Sequence, residues 1–104
     1  MRILLLIAVV LFVSSLAAPA RADMADCEQV PDWNLKISGC TAVILSGQYS
    51  GKNLVSAYYN RGNAYDDLGE YRRAIENFDQ ALRLDPGDAG VYVLRGAVYI
   101  NQTC

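Results

Sequence analysis

Few residues in this chain could do chemistry: three cysteines at Cys27, Cys40 and Cys104, an acidic pair at Asp66-Asp67, and no histidine in 104 residues. Without histidine, neither a Ser-His-Asp nor a Cys-His arrangement can be assembled. The glycines are scattered singly, so no Gly-rich loop cradles a phosphate. Asp66 and Asp67 fall near the end of a helical pattern. Sequence neighbours on a helix point in different directions, so the pair cannot work as matched catalytic carboxylates. The thiols are too few for a zinc site, and no Cys-x-x-Cys spacing suits a dithiol oxidoreductase. The expectation is therefore no catalytic residue, no metal and no cofactor. What is left to the cysteines is a cross-link, which depends on the compartment.

The first 22 residues bear on that compartment. Met1-Arg2 carries positive charge, Ile3 to Leu16 is apolar apart from Ser14-Ser15, and Ala17-Ala18-Pro19-Ala20-Arg21-Ala22 supplies small residues. Charge, apolar run and small-residue sites form the pattern of a cleaved secretory signal. A membrane anchor needs roughly 20 apolar residues, and Pro19 closes this run early. Cleavage after Ala22 is expected, with Ala20 as the other small-x-small site. Met24-Ala25-Asp26 before Cys27 is a poor lipoprotein site. Export, periplasmic or secreted, and no membrane span after cleavage follow. Loss of Arg2 and Arg21 turns nine basic residues into seven against eleven acidic ones, a net charge of −4. That balance gives nucleic-acid binding no electrostatic support.

In an oxidising compartment Cys27 and Cys40 can pair, tying an N-terminal arm to the helix that follows. By loop entropy such a bridge contributes about 3 kcal/mol. The other reading makes Cys40 a small buried residue at an alanine-like position. Cys104 is left over, as an intermolecular link, a free thiol or an accident of position.

The elements that position these residues are helical. Val55, Tyr58, Tyr59, Gly62, Tyr65 and Leu68 recur at steps of three and four, an amphipathic stripe. Gly69 suits the C′ position. Tyr71, Ala74, Ile75, Phe78, Ala81 and Leu82 carry a second stripe that Pro86-Gly87 ends. Asp88 can cap a third helix, with Val91, Tyr92, Arg95, Gly96, Tyr99 and Ile100. Upstream, Pro31-Asp32 can start a helix running to Ser46, with Ile37, Cys40, Val43 and Ile44 inward. Arg72 with Glu76 and Asp79 with Arg83 have the spacing of surface ion pairs. Tyr58, Arg61, Gly62 and Tyr65 recur 34 residues later as Tyr92, Arg95, Gly96 and Tyr99.

A helix-turn-helix period of this length resembles the tetratricopeptide repeat. The likeness covers Val55 to Asp88: Tyr58, Gly62 and Tyr65 on the first helix, Gly69 and Tyr71 at the turn, Ala74, Phe78 and Ala81 on the second helix, and Pro86 at its close. Arg61 departs from the leucine often found there. The resemblance implies an all-α fold: antiparallel helix hairpins of a short α-solenoid, one full repeat flanked by partial ones. Residues 1–22 are the signal. Residues 23–51 are an arm and a degenerate half-repeat whose first helix is lost. Residues 52–104 form the repeat domain, full over 55–88 and partial over 89–104.

The resemblance also implies function: a non-catalytic module that binds a protein or peptide on the inner face of its first helices. It places Ser56, Tyr59, Asn60, Asn63 and Asp67 there. Asn60 looks like the asparagine that hydrogen-bonds a ligand backbone in peptide-binding members, since an amide both donates and accepts; the alternative is plain solvated surface. Leu94 and Ala97 stand where a carboxylate clamp wants polar or basic groups, so an anionic C-terminus is not the expected ligand. At least three repeats normally bury a continuous core. A truncated chain, or a self-associating adaptor completed by another subunit through Tyr92, Val98 and Tyr99, is the alternative reading.

Overall fold

The computed structural model describes residues 22–103; the signal-type segment before them and Cys104 lie outside the described residues. Five helices follow one another: α1 (Met24–Glu28), α2 (Trp33–Ser46), α3 (Gly51–Asp67), α4 (Tyr71–Leu84) and α5 (Ala89–Thr103). Their boundaries follow local chemistry. The Asp32 carboxylate accepts from the Leu35 amide at 2.9 Å and starts α2. Asp88 accepts from Val91 at 3.2 Å and starts α5. Gly69, at φ 76°, ends α3. Its amide donates to the Asp66 carbonyl at 2.9 Å, and Glu70 donates to Tyr65 at 2.8 Å, a Schellman closure.

The α3–α4 hairpin is the centre of the fold. A Cβ placed on Gly62 would lie 2.8 Å from Phe78 Cε1 and 3.0 Å from Cδ1. The Phe78 ring therefore occupies the notch that Gly62 leaves. Ala74, Phe78 and Ala81 are fully buried with Val91 and Val98, and Tyr58, Tyr59, Tyr65, Tyr71 and Leu94 pack around them. Val98 thus serves this core and is not an exposed docking residue, whereas Tyr92 and Tyr99 stay about half exposed.

The degenerate half-repeat retains its first helix in shortened form, contrary to expectation. α1 falls 34 residues before Tyr58–Gly62, and α2 before much of α4. One turn of helix has no readable apolar period, which is why the sequence hides it. It is held by long-range contacts. Cys27 and Cys40 form a disulfide. A methyl on Gly39 would run into the Asp26 carbonyl, so glycine lets the two backbones close. Cys27, Cys40, Val43 and Ala57 make a second fully buried core, flanked by Ala22, Met24, Ile44 and Tyr49.

Arg61, the departure from leucine, is satisfied by polar partners. Its Nε donates to Asn77 Oδ1 at 2.6 Å and its Nη1 to Thr41 Oγ1 at 3.1 Å. Its guanidinium lies over the Tyr58 ring, and buried Asn77 donates to the Arg73 carbonyl at 2.8 Å. Arg95 repeats the stacking over Tyr92 and pairs with Asp79 at 2.7 Å. The expected pairs Arg72–Glu76 and Asp79–Arg83 do not form. Asp79 is drawn across to α5 instead, and among the described residues the other ion pair is Arg73–Glu70 at 3.6 Å.

Gly62 and Gly96 share a register but not an environment, because a Cβ on Gly96 would meet nothing within 4 Å. Gly62→Ala should cost about 1–3 kcal/mol by overpacking against Phe78. Gly96→Ala should gain up to about 1 kcal/mol from helix propensity. Thermal melts followed by circular dichroism should move in opposite directions, by about 4–8 °C per kcal/mol for a domain of this size.

Candidate functional site

α3 has two covered sides. One, through Gly62 and Tyr65, faces α4; the other, through Ala57, faces the N-terminal hairpin. The third side carries Lys52, Val55, Ser56, Tyr59, Asn63 and Asp66 at helical spacing. At its N-terminal half, Lys52, Val55, Ser56 and Tyr59 join Asp85 and Asp88 of the α4–α5 turn to line an open cleft of about 390 Å³. At its C-terminal half the Asn101 side chain of α5 hydrogen-bonds Asp66. α3 and α5 therefore run side by side, and a groove lies between them. Register places Val93, Ala97 and Ile100 on the α5 side; all three are exposed, Val93 by 71% and Ile100 by 66%.

The structure brings the expected binding residues together unequally. Ser56 and Tyr59 line the cleft. Tyr59 also packs on the core, its ring tilted against Phe78 at 6.5 Å between centroids. Asn60 turns its amide back into its own helix, donating to the Ser56 carbonyl at 2.9 Å and to Ser56 Oγ at 3.2 Å. Ser56 Oγ donates in turn to Glu28 at 2.8 Å. Asn63 lies one turn further along, half-buried, and Asp67 is exposed at the helix end. Sequence reasoning missed Lys52, Asp85, Asp88 and Glu28 as neighbours of this face. The capping role of Asp88 was readable, but its approach to Ser56 needs the turn folded.

No three potential metal ligands cluster among the described residues, and none of their helices is long and apolar enough to cross a membrane. The groove offers hydrogen-bonding groups, carboxylates and an apolar wall, which suit binding.

Paired antiparallel helices at a 34-residue period, with a glycine notch filled by an aromatic ring, define a helical-repeat protein of the solenoid class. Residues 55–88 match the family model of the tetratricopeptide repeat, so the chain contains a tetratricopeptide repeat. Such repeats are generally non-catalytic modules for protein–protein interaction. No curated protein and no solved structure matches the chain.

Partial burial first, then the neighbouring Asp67 carboxylate, holds Asp66 above the usual aspartate range, and the Asn101 hydrogen bond pulls it partly back. The folded state thus binds this proton more tightly than the unfolded chain. Its stabilising contribution is full below the unfolded value and is lost as pH rises through the folded one. Asp66→Asn should therefore raise the melting temperature at neutral pH. The gain should vanish as pH falls below the aspartate range, about 3.9.

Proposed function

We propose that this protein is an exported, non-catalytic module that binds an extended peptide or partner protein in the α3–α5 groove. The observation that carries the reading is the third side of α3. Its other two sides are packed, while Ser56, Asn63 and Asp67 remain accessible beside the exposed Val93, Ala97 and Ile100. An open side with directed polar groups and an apolar wall suits complex formation. Export belongs to the same reading. The signal-type pattern of residues 1–22 ends where the packed unit begins: Tyr49 donates to the Ala22 carbonyl at 2.8 Å, and Asp23 caps α1. The Cys27–Cys40 bridge also suits an oxidising compartment.

Affinity capture by the purified domain from an envelope or secreted fraction, with mass-spectrometric identification, supplies the partner. Ser56→Ala with Asn63→Ala should weaken its binding by about fivefold or more, or ~1 kcal/mol, with the helical spectrum unchanged. Equal binding by this variant would overturn the groove as the site.

A second reading, completion of the helical stack by another subunit, is favoured by α5. Tyr92 and Tyr99 flank Gly96 as Tyr58 and Tyr65 flank Gly62, yet among the described residues no side chain fills that notch. Sedimentation should then show a dimer at micromolar concentration that Gly96→Trp disrupts. A helical monomer would sink this reading.

A further inference from the structure

The groove has a charge pattern as well as a shape. Asp85 and Asp88 stand at one end, where they line the cleft beside Val55 and Ser56. Asp66 and Asp67 stand at the other end, beside Asn101. Glu28 reaches the same side of α3 through its bond to Ser56. Against these carboxylates the groove side of α3 offers one cation, Lys52. Arg95, the one basic residue of α5, is turned away and paired with Asp79. Between the two acidic ends the α5 wall is apolar: Val93, Ala97 and Ile100, with no charge among them.

We propose that the groove selects an extended cationic peptide: two basic side chains about five residues apart, with apolar residues between them. This rests on the protein-binding reading above and specifies its ligand. The spacing follows from helix geometry. From Val55 to Asp66 the α3 axis rises about 16 Å at 1.5 Å per residue. An extended strand covers that distance in about five residues at 3.3 Å each. A peptide along α3 therefore sets one cation against Asp85 and Asp88 and the next against Asp66 and Asp67. The side chains between them lie against Val93, Ala97 and Ile100. Asp66 contributes because its carboxylate is held near Asp67 at an energetic cost, which an incoming cation relieves. The same pattern rejects acidic peptides and free carboxylate termini, since like charges at the groove ends repel them.

The test uses the processed chain and three blocked peptides, N-acetylated and C-amidated. The first is Lys-Leu-Ala-Val-Leu-Lys; the other two replace both lysines with glutamine or glutamate. Binding is read by calorimetry and by shifts of the Asn63 and Asn101 side-chain amides in nuclear magnetic resonance spectra. The lysine peptide should bind about tenfold more tightly than the glutamine peptide, and the glutamate peptide more weakly still. The preference should collapse in about 0.5 M salt, where charges are screened within several ångströms. Asp67→Asn and Asp88→Asn should each reduce it; asparagine still caps α5, so the second variant keeps its fold. Equal binding of all three peptides overturns the charge assignment and leaves the protein-binding reading standing. Preference for the glutamate peptide overturns the assignment outright. No amide shift with any peptide at millimolar concentration overturns the groove as a peptide site as well.

Discussion

The contact on which the rest of the structure depends is the Phe78 ring in the notch of Gly62. It fixes how closely α3 and α4 approach, and Ala74 and Ala81 keep α4 slim enough to hold that distance. With α4 in place, its opposite side meets Val91 and Val98 and sets α5. The direction of α5 relative to α3 then defines the groove. A shift at this crossing would propagate to the spacing of every groove residue, because close-packed interiors transmit strain instead of absorbing it.

A polar chain ties this crossing to the N-terminal hairpin. Leucine at residue 61 would hold the helices by apolar contact alone. Arginine there reaches Asn77 on α4, Thr41 on α2 and the Tyr58 ring at once. Buried polar groups are tolerated when every member has a partner, and among the described residues no buried side-chain nitrogen or oxygen lacks one. The gain is geometric. One guanidinium sets the register of three helices, including the hairpin whose first helix is too short to pack by itself. The disulfide holds the other end of that hairpin, so α1 is fixed by covalent and polar links where a full repeat would use a hydrophobic interlock.

This division explains what the sequence revealed. The α3–α4 hairpin was legible because its determinants are local and periodic: Gly62, Ala74, Phe78 and Ala81 alternate small and large in one register. Helix α2 was legible to its ends because Asp32 and Gly47 mark them. Helix α1 was not, because a five-residue helix held by Cys40, Gly39 and Ala57 leaves no pattern of its own. The groove was half legible. Helical spacing aligned Ser56, Tyr59 and Asn63, but Asp85, Asp88 and Glu28 come to that face only through turns and a second hairpin. The inward turn of the Asn60 amide onto Ser56 is likewise a choice of partner that spacing cannot reveal.

Helix α5 shows why the two open surfaces of this molecule differ. It repeats the register of α3 but has no following helix among the described residues, so two of its sides meet solvent. On one side, Tyr92 and Tyr99 flank the empty Gly96 notch, a socket shaped for a bulky side chain carried by a helix. On the other, Val93, Ala97 and Ile100 form a narrow apolar wall facing the polar side of α3. Burying residues such as Val or Ile fully is worth about 1.5–3 kcal/mol each, so both sides favour an occupant. The socket demands the close approach of a second helix. The groove, bounded by α3 and by carboxylates at both ends, has room for a single extended strand. Occupancy of one leaves the other open, so completing the helical stack and binding a peptide are compatible events on opposite sides of the same helix.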